Sequence, residues 1–234
     1  MSGVLGPRLY RRLCDSFGTA EAVLRQDRKT LAGIRGIGAE MADSIVRKSY
    51  RRKMDLQLEW MQKHGADYLT PEDGGYPEVL RHIYDAPPLL MYQGALDCVD
   101  DTAFAVVGTR HPDDYGKTMS GRIAGGIAEY GICIVSGMAK GVDSIAHREA
   151  LKRGVPTVAV TGTPLDCIYP AENRMIHAQI CEHGAVCSEQ LIGDRVMPGN
   201  FIRRNRIISG LSRGVVVTQA GTRSRRPCHG AERE

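Results

Sequence analysis

The chain has 234 residues, of which 42% are hydrophobic and 25% charged, a balance typical of a protein that folds around an apolar core. Aromatic residues make up only 6%, with a single tryptophan, which disfavours a wide aromatic binding platform. No apolar run is long enough for a membrane helix and no basic-then-apolar leader opens the sequence, so we expect a cytoplasmic protein. The seven cysteines include no C-x-x-C pair, so no metal site is predicted, and Cys133 and Cys187 lie in apolar runs typical of small core residues.

Charge is distributed unevenly along the chain, although the net charge is only +4. Residues 1–65 contain 13 Lys and Arg against 7 Asp and Glu, residues 66–200 contain 10 against 18, and residues 201–234 contain 8 against 2. Two basic ends around an acidic middle favour two local anion sites over diffuse binding of polyanions. Scattered solubilising charges would explain the N-terminal excess equally well, but they explain the arginine-rich C-terminal part poorly.

Residues 1–65 are predicted to form a small all-helical domain, because their apolar residues recur at helical spacing. Within it, the segment LAGIRGIGAEMADSIVRKS resembles a helix-hairpin-helix with its turn at Gly36 and Gly38. A turn without side chains can bring backbone N–H groups against a phosphate, which makes Gly36 and Gly38 a candidate second DNA contact. A plain hairpin between two packed helices needs glycine for the same steric reason, so both interpretations stay open.

The pattern changes after the helical domain. Residues 66–100 are rich in Pro and Gly and lack a clear period, which predicts a linker. From Phe104 onward, short apolar strands alternate with helices, and we expect a doubly wound α/β domain with a mainly parallel sheet over residues 101–220. Residues 221–234 show neither a helical nor a strand period, and a disordered tail is predicted there.

A candidate binding site follows from this sheet, because ligands of doubly wound sheets bind at the carboxyl ends of the strands. The segments that follow the predicted strands supply glycine turns, hydroxyl groups and five cations. Backbone N–H groups and arginine side chains are the donors that phosphate oxygens prefer, so this edge is the predicted anion site. The five cations are Arg110, Lys140, Arg203, Arg204 and Arg206.

Motifs of nucleotide-dependent enzymes are missing from the sequence. No G-x-G-x-x-G follows the first strand, no P-loop is present and no G-x-S-x-G elbow occurs, so no cofactor is predicted. Ser136, Asp143 and His147 invite comparison with a catalytic triad. However, Asp143 and His147 are four residues apart on one predicted helix, where a capping Asp and a packed His are the commoner explanation. We therefore expect a binding protein rather than an enzyme.

Several ordered segments together resemble the DNA-processing protein A (DprA/Smf) family. They are GTR followed by YG, then SGMAKGVDSIAH, YPAEN, Ser188–Glu189 and FIRRNRIISGLS. The resemblance implies a Rossmann-like sheet domain preceded by a domain like a sterile alpha motif (SAM). It also implies a protein that binds single-stranded DNA, protects incoming DNA and helps to load the RecA recombinase during natural transformation and recombination, and that forms a homodimer in the family.

The resemblance also implies which residues contact DNA. Arginine side chains would take phosphates, and Phe201 would stack a base. The residues carried over from the family motifs are Arg110, Ser136, Gly137, Phe201, Arg204, Asn205 and Arg206, and the edge cations Lys140 and Arg203 complete the predicted set.

The sequence departs from the family pattern near its C-terminal end. Ile202 stands where proline is usual, Gln219 stands where glutamate is usual, and nothing after Ser224 matches. We expect a C-terminally truncated member with an incomplete sheet domain, in which most of the ligand pocket is present and the family's dimer and RecA-contacting surface is missing. The alternatives are a nucleotide phosphoribohydrolase on a related fold, whose P-G-G-x-G-T run is not found here, and a non-functional fragment.

Overall fold

The computed structural model describes residues 6–99 and 102–221. The chain divides into two compact units, residues 1–63 and residues 64–234. Apart from Gly221, the tail predicted over residues 221–234 lies outside the described residues. Within the described ranges, no helix is long and apolar enough to cross a membrane.

The first unit is helical in its described residues, and it packs around a small apolar core. Thr19 and Asp27 begin two of the helices, because their side-chain oxygens accept hydrogen bonds from backbone N–H groups of the first turn. The core contains Leu13, Leu31 and Ala42 among its buried members. The helices are α1 (Pro7–Phe17), α2 (Ala20–Leu24), α3 (Arg28–Ala32), α4 (Ala39–Val46) and α5 (Arg51–His64).

The second unit is a seven-stranded sheet, counted over the described residues, with helices between its strands. The strands are β1 (Ala66–Leu69), β2 (Leu90–Gly94), β3 (Phe104–Val107), β4 (Ile134–Ser136), β5 (Thr157–Val160), β6 (Ala185–Ser188) and β7 (Gly214–Val217). The helices are α6 (Glu78–Arg81), α7 (Asp114–Glu129), α8 (Val142–Lys152), α9 (Arg174–His183) and α10 (Pro198–Gly210), and a 3-10 turn (Ala171–Asn173) precedes α9.

The strand order β1-β2-β6-β5-β4-β3-β7 confirms the predicted mainly parallel sheet. Strands β6, β5, β4, β3 and β7 are parallel, and a helix connects each of them to the next in the chain. Phe104 of β3 lies opposite Ile134 of β4 on one side and Gly214 of β7 on the other. All five carboxyl ends therefore lie at one edge of the sheet.

The segment predicted as a linker, residues 66–100, differs from that prediction, because it contributes two strands and a short helix to the second unit. Strand β2 pairs antiparallel with β6, and β1 pairs antiparallel with β2. Leu90 and Met91 of β2 are fully buried. In β1 the exposed residues are the two central neighbours rather than alternate positions, so the sequence carries no period of two.

The central strands β4, β5 and β6 are buried on both faces, as expected for a doubly wound domain, whereas β1 and β7 at the two edges of the sheet are partly exposed. Ala105 packs in one core together with Ile207 and Leu211 of α10. Its neighbour Val106 packs in a second core with Ala124 of α7 and Ala146 of α8. Adjacent residues of β3 therefore face opposite helical layers, with α7 and α8 on one face of the sheet and α10 on the other. Cys133 and Cys187 are buried core residues, as predicted.

Candidate nucleic-acid interface

A pocket of about 260 Å³ opens at the carboxyl ends of β3, β4 and β5. The loops that follow these three strands supply most of its wall, and the first turns of α10 supply the rest. Of the predicted site residues, the pocket brings together Arg110, Gly137, Lys140 and Phe201. The remaining lining residues, His111, Ala139, Gly162, Tyr169 and Pro170, were not selected from the sequence.

Arg110 lies against an aromatic wall. Its guanidinium carbon is 5.7 Å from the centroid of the Phe201 ring, a cation–π arrangement. The Tyr169 ring lies beside Phe201, with centroids 5.5 Å apart and planes tilted by 54°. Arg110 is exposed, so the pocket presents a solvent-accessible cation next to two aromatic rings.

Lys140 is the second exposed cation of the pocket, and it has a carboxylate partner. Its Nζ lies 2.8 Å from Oε1 of Glu172, in the 3-10 turn before α9. Both side chains are about half exposed. Exposed pairs of this kind contribute about 1 kcal/mol or less, so a phosphate can compete for Lys140.

Arg204 differs from the prediction of a DNA contact, because its side chain is enclosed by protein and the residue is only 5% exposed. Its Nη1 donates a hydrogen bond of 2.7 Å to the carbonyl of Val160, at the end of β5. A Cβ at Gly137 would collide with the same guanidinium. The lack of a side chain at Gly137 therefore leaves room for the side chain of Arg204. The Nε of Arg204 is buried without a hydrogen-bond partner among the described residues.

A signal for the burial of Arg204 is present in the sequence. Ile207, Ile208 and Leu211 follow Arg204 at three, four and seven residues, the spacing of one helical face. All three are buried in α10 or at its end. The arginine therefore occupies an apolar face, whereas its neighbour Arg203 is exposed and donates to Oδ1 of Asn200 at 2.6 Å.

Two titratable groups are buried near Arg204. Asp143 accepts a hydrogen bond of 3.3 Å from the N–H of Ala139, in the loop that precedes α8. Burial raises the pKa of Asp143, and the positive charge of Arg204 opposes that rise. His147 is fully buried, and burial, with the charge of Arg204, lowers its pKa to about 3. We call Asp143, His147 and Arg204 the buried polar layer.

The hydrogen bonds of this region do not form a catalytic relay. Ser136 is buried, and its hydroxyl donates to the Val106 carbonyl at 2.6 Å, so it does not face the pocket as a ligand. His147 Nδ1 lies 2.8 Å from the Thr157 hydroxyl. Since that hydroxyl donates to the Ile134 carbonyl, Nδ1 of His147 is the donor and Nε2 carries no proton. The packed, neutral His147 agrees with the commoner explanation. Asp143 differs from the expected helix cap, because α8 begins at Gly141 without a side-chain cap and Asp143 accepts from the loop before the helix.

Arg206 and Asn205 lie outside the pocket lining. The Nε of Arg206 is 3.3 Å from Oδ2 of Asp85, and its Nη2 pairs with the carboxylate of Glu189. Two carboxylates therefore neutralise this guanidinium, which ties α10 to the loop after α6 and to the end of β6. Asn205 is half-buried in α10, and its carbonyl accepts a hydrogen bond from Ser209.

The predicted second contact lies in the first unit. Gly36 has φ +99°, a conformation that favours glycine, and a Cβ there would meet the side chains of Leu9 and Arg12. Gly38 precedes α4 as its N-cap, and no atom lies within 4 Å of the position of a Cβ there. The positive φ explains why glycine is present at position 36. Nothing in the described structure requires glycine at position 38, and DNA contact at this turn stays a prediction.

Gln219, one of the departures from the family pattern, has a defined role after β7. Its Nε2 donates to Oδ2 of Asp113 at 2.7 Å, and its Oε1 accepts the Asp113 N–H at 3.2 Å. Asp113 in turn caps α7 through the Gly116 N–H. An amide can donate and accept at once, so glutamine suits this position beside a carboxylate, where glutamate could only accept.

Comparison with known proteins identifies both units. Residues 67–225 match the family described as DNA recombination-mediator protein A, and residues 3–48 match the SAM-like helix-hairpin-helix tandem. Protein Smf of Synechocystis sp. is 37% identical over 224 residues, which cover 94% of this chain and 56% of that protein. DNA processing protein DprA of Streptococcus pneumoniae is 43% identical over 152 residues, which cover 65% of this chain and 54% of that protein. The chain thus spans about half the length of these relatives.

Two solved structures show the same architecture. DprA of Streptococcus pneumoniae superposes with a TM-score of 0.80 at 32% identity, covering 94% of this chain and 75% of that chain. DNA processing protein A of Helicobacter pylori, whose structure concerns a single-stranded DNA binding mode, gives a TM-score of 0.60 at 33% identity, covering 68% of this chain and 72% of that chain. With its family match, its relatives and its fold in agreement, this chain belongs to the DNA recombination-mediator protein A family.

Proposed function

We propose that this chain binds single-stranded DNA without base-sequence preference, in the pocket at the carboxyl ends of β3, β4 and β5. The observation that carries the proposal is the exposed Arg110 guanidinium beside the rings of Phe201 and Tyr169. Cations that follow the phosphate backbone and aromatic rings that stack bases are the combination that single-strand binders use. Every base has a π face, so such a site tolerates any sequence.

The charges of the pocket determine how binding depends on salt. Arg110 and Lys140 are the cations that line it. Each phosphate neutralised on single-stranded DNA releases counterions and contributes about −0.7 to the slope of log K against log salt. We expect a slope of about −1 to −2 for this pocket, since two cations are available to the phosphates.

The same geometry supports binding rather than catalysis. No acidic side chain is among the described residues that line the pocket, and the nearby Glu172 pairs with Lys140. Asp143 and His147 are buried behind the pocket wall and hydrogen-bonded within the fold. The carboxylate of Glu172, beside this wall, is already paired with the Lys140 ammonium. We therefore propose a protein that binds its ligand without transforming it.

The proposal extends to natural transformation and recombination. The family description names recombination mediation, and a relative from Streptococcus pneumoniae is named as a DNA processing protein. We propose that the chain holds and protects an incoming single strand and helps to pass it to the RecA recombinase. Because the chain spans about half the length of its curated relatives, RecA contact and homodimer formation are tested separately from DNA binding.

The test of DNA binding is fluorescence anisotropy with labelled oligo-dT and with an oligonucleotide of mixed sequence, over a series of salt concentrations. We expect similar affinities for both single strands, weaker binding to duplex DNA and the salt slope given above. Protein that is folded by circular dichroism but fails to retain either single strand at low salt would overturn the proposal. Release of free base from a nucleoside monophosphate would instead favour the phosphoribohydrolase.

We also propose that the turn at Gly36 and Gly38 is a second DNA contact, which the open side of Gly38 supports. The variant Gly38→Asp places a carboxylate at this turn without a steric collision in the described structure. We expect it to weaken binding of long oligonucleotides while leaving the thermal melting temperature nearly unchanged. Unchanged affinity would favour the plain structural hairpin, and Gly38→Ser is the matched control without charge.

A further inference from the structure

The two aromatic rings of the pocket differ in how much of each is open to a ligand. Phe201 is half-buried, and the backbone of Gly162 lies so close that a Cβ there would be 2.8 Å from its Cδ1. The guanidinium of Arg110 lies over the same ring, 5.7 Å from the centroid. The Phe201 ring is therefore already in contact with two other groups.

Tyr169 is more open. It is 48% exposed while it lines the pocket, and the ring contact recorded for it is the tilted one with Phe201. A base held between two rings needs about 7 Å between their planes, twice the usual carbon–carbon contact distance. The centroids are 5.5 Å apart and the planes are inclined by 54°, so the two rings cannot sandwich a base. A base must stack on one of them.

We propose that the stacking ring is Tyr169, and that Phe201 is a positioning residue that holds the Arg110 guanidinium toward the phosphate. The inference rests on the proposed function, because it assigns roles within the pocket that would hold single-stranded DNA. Stacking of Arg110 on Phe201 restricts a long, flexible side chain before the ligand arrives. The base then meets the exposed ring, and the phosphate meets a guanidinium that is already oriented.

The two roles predict different losses. Removing a stacking ring weakens binding of a base and leaves the number of phosphate contacts unchanged, so the salt slope stays the same. Removing a residue that orients Arg110 weakens a phosphate contact, so the slope becomes less negative while the preference for oligo-dT over an abasic strand is unchanged. The comparison of oligo-dT with an abasic oligonucleotide of the same length separates the two.

The experiment measures the affinity of the full chain for both oligonucleotides over a salt series. We expect Tyr169→Leu to bind oligo-dT about 10-fold more weakly, to bind the abasic strand as the wild type does, and to keep the wild-type slope. Tyr169→Phe should retain the preference for oligo-dT. Tyr130→Leu, which removes a tyrosine that is more exposed at the end of α7, is the matched control and should change nothing.

The second arm concerns Phe201. We expect Phe201→Leu to weaken both oligonucleotides by the same factor and to make the slope less negative by about 0.7. Its effect should not add to that of Arg110→Gln, because both variants remove the same contact. Circular dichroism verifies that each variant folds.

Three results would overturn the inference, and they differ from one another. If Phe201→Leu abolishes the preference for oligo-dT while Tyr169→Leu keeps it, the base stacks on Phe201. If the wild type binds both strands equally, neither ring stacks a base, although the proposed DNA binding stands. If the folded wild type binds neither strand, the proposed function fails and the inference fails with it.

Discussion

Two groups of cations lie near the carboxyl edge of the sheet, and they differ in what surrounds them. Arg204 and Arg206 project from α10 into protein, where a carbonyl and carboxylates take their N–H groups. Arg110 and Lys140 belong to strand-end loops and remain exposed. The contrast shows that the arginines of α10 are mostly held within the fold, whereas the exposed cations that line the candidate pocket lie on the neighbouring loops.

The largest expected effect is on folding stability and concerns the buried group. Arg204→Met leaves the Asp143 carboxylate buried without the opposing charge, so we expect the free energy of unfolding to fall by about 3–5 kcal/mol in urea denaturation. The double variant with Asp143→Asn should recover part of this loss. Arg122→Met on α7 is the matched control, and its effect should be within about 0.5 kcal/mol because that side chain is exposed. Equal losses of unfolding free energy in the two single variants would contradict the conclusion that Arg204 has a structural role that an exposed arginine lacks.

The next effect is the dependence of stability on pH, which tests whether His147 is a neutral part of the buried polar layer. Burial lowers its pKa to about 3, below the value near 6.5 of an unfolded histidine, so the unfolded state binds more protons between these values. The contribution of His147 to the free energy of unfolding is therefore fully present above about pH 6.5. It decreases as the pH falls, by about 2 kcal/mol at pH 5.

Two variants separate His147 from the other titrating groups. His147→Asn keeps a donor near Thr157 and should flatten the fall in stability between pH 7 and pH 5. His177, whose pKa burial also lowers, is less enclosed, so His177→Asn should flatten the curve less. Asp143 acts in the opposite direction, because burial raises its pKa and its protonation favours the folded state. A curve unchanged in His147→Asn would show that this histidine titrates normally.

The exposed group is tested by DNA affinity. Arg110→Gln removes the guanidinium beside Phe201, so we expect about 10-fold weaker binding of oligo-dT and a salt slope less negative by about 0.7. Arg206→Gln is the matched comparison, because Arg206 belongs to the group of arginines that is held within the fold. It should lower stability through its carboxylate partners and leave the salt slope unchanged. A slope that responds to Arg206 rather than Arg110 would reverse the assignment of the two groups.

The smallest expected effect is a gain in affinity. Glu172→Gln removes the carboxylate that holds Lys140 at 2.8 Å and so frees this ammonium for phosphate. Since exposed pairs contribute about 0.2–1 kcal/mol, binding of oligo-dT should strengthen by no more than about fivefold. Titration by anisotropy measures it, and Glu182→Gln on α9 is the control. Weaker binding in Glu172→Gln would mean that the pair orients Lys140 rather than competing for it.

Much of the fold could be predicted because the parallel strands are short, mainly apolar runs. The segments around Phe104, Ile134 and Thr157 are bounded by helices with clear apolar faces, so their order along the chain indicates the sheet. Strands β1 and β2 could not be predicted in the same way. They are four and five residues long, they lie among prolines and glycines, and their pairing joins positions far apart in the sequence.

The position of the site could be predicted more readily than its members. Arg110 and Lys140 could be predicted to lie at the same edge of the sheet, because each follows the carboxyl end of a parallel strand. Consecutive helical residues point about 100° apart, so Arg203 and Arg204 face different surroundings although the sequence presents them as a pair. Tyr169 was not selected although it opens the YPAEN segment, because a single aromatic residue in a loop carries no period and only the fold places its ring beside Phe201.

Gly137 and Gly162 have a consequence for how this pocket can change in evolution. A side chain at either position collides with its neighbour, the Arg204 guanidinium in one case and the Phe201 ring in the other. Even an alanine at either position would therefore displace the Arg204 guanidinium or the Phe201 ring. We expect substitutions that tune the proposed DNA affinity to be tolerated at exposed positions such as Tyr169 and Glu172, where the interior need not repack.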